Sequence, residues 1–458
     1  MAQRKLDVVL DSVKRLQRMG ATSNLVNLLQ KQHPADLGQL FSELPEKERH
    51  AAFSLLAERQ PKLAMEALSE LDPAAGAALL SDRSAEEIVK LLQELPTDDA
   101  AAIIDHLPEE LGAAVLELIQ KRPAGSDVGE LLDYPEKTAG RIMNPKVFAL
   151  SEDMTAGEAI TALQNARDVE MVFYLYVIDV RRHLVGVVSL RRLLLVPPST
   201  PLKRIMTTDL ISVRADMDQE EVARQVASYN LLAIPVVDEE NKLVGVITVD
   251  DVIDVIKDEA TEDVYRLAGV TGDDRVFTPA SESLRKRLPW LLVNLGTAFL
   301  AALVVAAFQG TIGILPVVAV LMPVVAGMGG NAATQTLTVI VRGIALGELT
   351  WGNTRKALFK EAVVGIGNGL ACGIVGALIV LVFNGNWVLG LVLGLAMIVN
   401  MFVAATAGTL IPLSLRALKV DPALASSVFI TTLTDMFGFF SFLGLATLFL
   451  RYLQQGPG

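Results

Sequence analysis

The sequence predicts a mixed fold in four parts: an all-α N-terminal superhelix, an α/β tandem repeat, a connecting acidic helix and a five-helix α transmembrane domain. Three observations carry that expectation. Charge divides the chain, because residues 1–287 hold 33 Lys+Arg against 48 Asp+Glu while 288–458 hold 7 against 4. The second segment also contains the apolar runs long enough to cross a bilayer, which takes about 20 residues. Within the acidic half, a proline-punctuated stretch without strand signal gives way near residue 138 to an internal repeat.

Residues 1–130 read as short helices separated by Leu44-Pro45, Leu71-Asp72-Pro73, Leu95-Pro96 and Leu107-Pro108. Proline cannot continue a helix interior, so each of these ends one helix and opens the next. Apolar i, i+3, i+4 patterns between the breaks suggest a helical superhelix, which is an interaction or sensor surface and not a catalytic domain.

From 138 to 256 two degenerate copies of about 60 residues follow one another. The first runs through Met143-Asn144-Pro145, a helix near 156–167, and strands at 174–179 and 184–189. The second runs through Met206-Thr207-Thr208, a helix near 219–229, and strands at 233–238 and 243–248. The pair resembles tandem CBS modules, which are regulatory and often bind adenine nucleotides between the copies. That resemblance makes ATP a candidate ligand, held by a Ser/Thr followed three residues later by Asp. Thr248 and Asp251 match in the second copy. The first has Ser189 but Arg192 in the Asp position, which weakens the nucleotide expectation there.

The connecting helix, 250–276, is the most acidic part of the chain. Nine carboxylates between 250 and 274 face only Lys257 and Arg266. Asp251, Asp254, Asp258 and Glu262 fall on one helical face, where like charges repel. Divalent cations would remove the repulsion, and carboxylates with waters are the ligands of hard cations such as Mg²⁺. The plain alternative is a solvated face, although such faces usually mix signs.

Five apolar stretches, roughly 289–308, 313–340, 362–383, 387–411 and 424–450, form a membrane domain over 285–458. Basic residues set its orientation. Arg285, Lys286 and Arg287 precede the first stretch, Arg342, Arg355, Lys356 and Lys360 separate the second from the third, and Arg416 and Lys419 separate the fourth from the fifth. The N-terminal half is therefore expected in the cytoplasm of a multi-pass cell-membrane protein, with the C-terminus outside. No signal-peptide pattern opens the chain, in keeping with that expectation.

The second stretch contains Pro316, Pro323 and the run Gly327-Met328-Gly329-Gly330-Asn331. Glycine and proline free backbone carbonyls there, which lipid tolerates only where the backbone lines a cavity or packs against protein. Small-residue helix packing is the alternative, and Gly365, Gly367, Gly369, Gly373 and Gly376 of the third stretch fit that role. Asp435 is the only charged residue between Asp421 and Arg451. A carboxylate at that depth costs several kcal/mol or more unless it faces water, a cation or a partner. It is either a structural Asp, protonated or bonded to Thr431, Thr432 and Thr434, or a wall of an ion path. The path is the favoured reading.

This order of parts is similar over essentially the whole chain to MgtE-type magnesium channels. The matching segments are Pro323 to Asn331, Val420-Asp421-Pro422-Ala423-Leu424, Thr432-Leu433-Thr434-Asp435, and Glu259-Ala260-Thr261-Glu262-Asp263. The resemblance implies a homodimer whose second and fifth spans line one central pore, with Asn331 in its wall and Asp435 binding hydrated Mg²⁺ at its entrance. It also implies that the acidic helix plugs the cytoplasmic side when intracellular Mg²⁺ is high. Gating carboxylates would then fall on Asp251, Asp254, Glu259, Glu262 and Asp263, on Asp421 at the membrane contact, and on Glu66, Asp98 and Glu220 in the soluble half. Two departures stand out. Asn230 occupies a position where the family has Asp, and Ala333-Thr334-Gln335 follows the GGN run where Gly-Asn-Gln is common.

A pore for Mg²⁺ should hold the ion through its waters, because the ion dehydrates reluctantly. A secondary-active divalent cation transporter with Asp435 as coupling-ion site is the rival reading, since mid-membrane carboxylates occur there too. A membrane-anchored sensor would need neither the glycines nor Asp435. An enzyme is not expected: all four histidines lie in the soluble half, and no Walker A, nucleophile or zinc motif is present. The lone Cys372 leaves no intrachain disulfide, and the acidic surface argues against a nucleic-acid partner.

Overall fold

A computed structural model describes residues 2–121, 126–166, 174–270, 274, 276, 278–424 and 427–454. Contacts divide the chain within the acidic helix into Met1–Ile256 and Lys257–Gly458.

The first unit begins with ten helices among the described residues, from Ala2–Arg18 to Ser126–Asp133. Its prolines act at helix starts. Pro34, Pro61 and Pro73 open helices at their first positions, and Pro45, Pro96 and Pro108 sit just before them. Orphan N–H groups at these starts find side-chain oxygens, as in the reciprocal Ser84–Glu87 capping box and at Asp72. The apolar stripes interlock, with Phe41 and Phe53 edge to face at 6.2 Å. The same apolar core continues without a break into Val213, Ile234, Ile247, Val252 and Val255 of the repeat region.

The repeat forms two three-stranded sheets. The first contains β1 (Ala149–Ser151), β2 (Tyr174–Ile178) and β3 (Leu184–Ser189), and the second contains β4 (Val213–Arg214), β5 (Ala233–Val237) and β6 (Leu243–Thr248). Each has its short first strand parallel to the second and the third antiparallel to it. The leading segments cross between copies. Thr207 pairs with Val187 of β3 and Asn144 with Val246 of β6. Met206 packs where a side chain at Gly186 would stand, and Met143 does the same at Gly245. Each copy read in sequence forms its own sheet, and a segment assigned to the other copy pairs with that sheet's last strand. Asn230 closes the helix Gln219–Tyr229 in the left-handed conformation, φ 51°, which Asn tolerates well.

Five helices of the second unit are long and apolar enough to span a membrane: Ala280–Ala307, Val317–Ala345, Thr354–Asn384, Trp387–Ala417 and Ser427–Leu448. Spans one and three start earlier than their apolar runs, because charged helical turns precede them. The third and fourth spans pack through glycine. Side chains at Gly365, Gly369 and Gly373 would collide with Met401, Ile398 and Gly394 backbone, whereas Gly367 faces open space and takes no part. Gly269 ends the acidic helix at φ +70° with the Trp290 indole where any side chain would lie.

Candidate functional site

The membrane unit has four carboxylates after residue 287, and their surroundings differ. Glu361 in span three is 4 % exposed, yet it accepts the Thr336 hydroxyl at 3.3 Å and pairs with Lys360. Asp421 follows span four; one oxygen accepts Ala423 N–H at 2.8 Å and the other pairs with Arg266. Arg266 also holds Glu262, so one guanidinium joins two predicted gating carboxylates. Glu348 is exposed in the connection between spans two and three.

Asp435 is different. It is half-buried in span five, and its carboxylate makes no hydrogen bond or ion pair among the described residues. Thr432 and Thr434 donate to Val428 and Thr431 carbonyls of their own helix, so a hydroxyl-bonded structural Asp is not what forms. The carboxylate borders a groove of about 450 Å³ walled by Ala298, Ala301, Ala302, Val305 and Gln309 on one side and Phe439 on the other. Six waters at ~30 Å³ each occupy roughly 180 Å³, so a fully hydrated divalent ion fits this space. Small side chains on span one leave that room. The groove wall comes from span one and not from span two.

Span two meets span five one turn earlier, where Gly330 lies against Thr431. On its outer face Pro323, Gly327, Asn331, Thr334, Gln335 and Thr338 are exposed. The Thr334 and Thr338 hydroxyls bond back to Gly330 and Thr334 carbonyls. The Asn331 and Gln335 amides have no hydrogen-bond partner among the described residues. The GGN glycines therefore divide: Gly329 and Gly330 pack against helices, and Gly327 faces outward.

One buried polar residue in this unit carried no signal in sequence. Asn400 in span four is 1 % exposed, donates Nδ2 to the Val325 carbonyl at 2.9 Å, and keeps a buried Oδ1 without a partner among the described residues. An orphaned buried acceptor costs about 1–3 kcal/mol.

In the first unit, Asp98 is half-buried at the start of the helix Thr97–Asp105 and close enough to Asp251 for mutual repulsion. Desolvation first, then Asp251 and Asp99, hold the Asp98 carboxyl well above its ordinary range, and its Oδ1 has no hydrogen-bond partner among the described residues. Asp251 is pushed up to about 6, mainly by burial, although the Thr248 hydroxyl donates to it at 2.5 Å. Asp251 therefore serves the Thr248 pair expected of a nucleotide site and also faces Asp98. The other predicted carboxylates are spread out. Glu66 lies 3.9 Å from Lys62, and Glu220 pairs with Arg224 at 3.2 Å. Asp254, Glu259 and Asp263 follow along the acidic helix, the first exposed and the others half-buried. Ser189 accepts the Arg192 N–H as a helix cap, and the Arg192 side chain is exposed. Among the described residues no three His, Cys, Asp or Glu side chains come together as a metal cage.

A helical domain, a CBS pair and five apolar spans, one of them carrying a half-buried carboxylate, define a multi-pass membrane protein with a CBS-type module. Family models match in the same order: the MgtE intracellular N domain over 32–137, CBS domains over 139–199 and 202–258, and the MgtE divalent cation transporter domain over 322–445. The magnesium transporter MgtE of Bacillus subtilis (strain 168) is 37 % identical over 324 residues, 70 % of this chain and 72 % of that one. The protein of the same name from Thermus thermophilus is 37 % identical over 331 residues, 71 % and 73 % of the two chains. A solved cytosolic domain of the Mg²⁺ channel MgtE in complex with ATP aligns with a TM-score of 0.50 at 37 % identity, covering 54 % of this chain and 99 % of that one. The chain belongs to the MgtE family.

Proposed function

We propose that this protein is a Mg²⁺ channel whose path passes Asp435 and which intracellular Mg²⁺ closes through its cytosolic carboxylates and acidic plug helix. Relatives that carry the name magnesium transporter support the cargo. The observation that carries the path is that Asp435, half-buried in span five, has no protein cation among the described residues, unlike Glu361 and Asp421, and it borders room for a hydrated ion. A hydrated Mg²⁺ needs oxygen acceptors around its waters and not a stripped cage, which a carboxylate beside a groove supplies.

A homodimer is part of the reading. Unsatisfied amides such as Asn331 and Gln335 are costly against lipid, and a second copy facing span two would enclose them around water. Basic residues between spans two and three and after span four support a cytoplasmic position for the first unit. Closure follows linkage: Mg²⁺ that binds mainly the closed arrangement, between facing carboxylates such as Asp98 and Asp251, shifts the population toward it. An adenine nucleotide such as ATP fits as a further ligand of the CBS pair, and one relative's cytosolic domain was solved with it.

The secondary-active reading draws on the short helix Gln309–Ile314 ahead of Pro316, an interruption of the kind found at carrier sites. Patch-clamp recording separates the two, since a carrier gives no unitary current steps. In the same experiment Asp435→Ala is expected to abolish Mg²⁺ current while the dimer stays assembled. Normal current in that variant would sink the path.

A further inference from the structure

We propose that Asn400 is a positioning residue of the ion path: it fixes the separation of the helix bearing Asn331 from the helix bearing Asp435, and thereby the discrimination among divalent ions. The inference rests on the reading that both helices border the path. Asn400 is placed on span four between two glycines from those two helices. A β-carbon at Gly438 of span five would lie 2.7 Å from its Nδ2, and one at Gly329 of span two would overlap its amide. Gly438 is one turn beyond Asp435, and Gly329 is two residues before Asn331. Nδ2 donates to the Val325 carbonyl, one helical turn before Gly329.

The amide therefore acts as a spacer with a hydrogen bond at one end. An apolar side chain of similar volume could fill the space, but it would not tie span two in height or rotation. Its Oδ1 has no protein partner among the described residues, so Asn is a poor choice for packing alone. Rotation of span two by a fraction of a turn would shift Asn331 relative to span five, and a hydrated ion is held through waters at defined distances. A small displacement should then change which hydrated ion is preferred, along with the rate.

The test uses the full-length protein in liposomes, measuring Mg²⁺ uptake, the Mn²⁺ to Mg²⁺ uptake ratio, and the melting temperature. Asn400→Ala is expected to lower Mg²⁺ uptake about tenfold, the scale of one buried hydrogen bond, and to raise the Mn²⁺ to Mg²⁺ ratio. The decisive variant adds Gly438→Ala to Asn400→Ala, placing a methyl in the vacated space. We expect it to regain the melting temperature but neither uptake nor the ratio. Recovery of all three would show that Asn400 only fills space and would overturn the proposal, as would an unchanged ratio in Asn400→Ala. Should Asn400→Ala fail to fold, Asn400→Leu keeps the volume: a wild-type melting temperature with altered ratio supports the tie, and a wild-type ratio refutes it. Asp435→Ala in parallel keeps the two ideas apart. Retained uptake there removes the path itself, whereas lost uptake there with an unaltered Asn400→Ala removes only this inference.

Discussion

The two units treat buried carboxylates in opposite ways. In Lys257–Gly458 the chain supplies its own cations, Lys360 to the buried Glu361 and Arg266 to the half-buried Asp421, and among the described residues the half-buried Asp435 has none. In Met1–Ile256 most acidic side chains face water, and the exceptional half-buried pair, Asp98 and Asp251, is of like charge. A buried ion pair supplied by the protein is a finished structure that needs nothing further. A buried carboxylate with no cation, or two facing one another, is an incomplete one. On the proposed function, the contrast sorts acidic residues into those that hold the fold and those left open for an exchangeable cation.

The sharpest break of that contrast compares the two membrane carboxylates. Asp435→Asn removes the charge at nearly constant size and is expected to lower Mg²⁺ uptake by about two orders of magnitude or more, with little change in melting temperature. Glu361→Gln should do the reverse. It leaves Lys360 and Thr336 with a weaker partner, destabilising the protein by about 1–3 kcal/mol, and keeps substantial uptake in the protein that folds. If Glu361→Gln abolished uptake at full stability, the sorting by cation supply would be wrong.

Next in size is the Asp98–Asp251 pair. Its carboxyls hold protons more tightly folded than unfolded, so the bound proton stabilises the fold. For Asp251 this contribution is full below the ordinary value of 3.8 and lost as pH rises through about 6, a span of about 3 kcal/mol. Asp98 acts in the same direction. Mg²⁺ should replace the proton once it has left. At pH 7 a concentration 100 times the dissociation constant stabilises by about 2.7 kcal/mol, and near pH 4 it should do little. Melting curves of the whole protein at both pH values, with and without Mg²⁺, test this. Asp98→Asn combined with Asp251→Asn should flatten both dependences; an equal Mg²⁺ response in that variant would rule the pair out as a cation site.

How much of this was legible in the sequence follows from the kind of signal each part sends. The spans, the proline-opened helices and Asp435 are readable because apolar length, φ restriction and an isolated charge in lipid are local properties. Strands β1 and β4 were not, being three and two residues long. The exchange of Met143 and Met206 between sheets is a pairing across the chain that no local pattern encodes. Glu361 was hidden by Arg355, Lys356 and Lys360, which mark it as an ordinary charged flank, and Asn400 is a neutral residue without period in an apolar run. Gly367 shares its spacing with packing glycines but points away from span four. Arg266 stood out only as one of two cations among nine carboxylates, and its particular partners required the fold.

Arg266 also gives the smallest predicted effect and the finest test of the contrast. The guanidinium sits between Glu262 of the acidic helix and Asp421 beyond span four, with all three side chains partly exposed. Partly exposed ion pairs contribute about 1 kcal/mol or less, equal to a shift of about fivefold in an equilibrium. If the contact belongs to the closed arrangement, Arg266→Ala favours opening, and the Mg²⁺ concentration giving half-maximal closure rises by up to that factor while the open-channel current is unchanged. Arg266→Lys keeps the charge but loses the fork that reaches two carboxylates, so its shift should be smaller. Patch-clamp titration of cytoplasmic Mg²⁺ reads both variants. A half-closing concentration that falls in Arg266→Ala would mean that Mg²⁺ competes with the arginine for Asp421 and Glu262. Those two carboxylates would then belong with Asp98 and Asp251 as places for an exchangeable ion and not with Glu361.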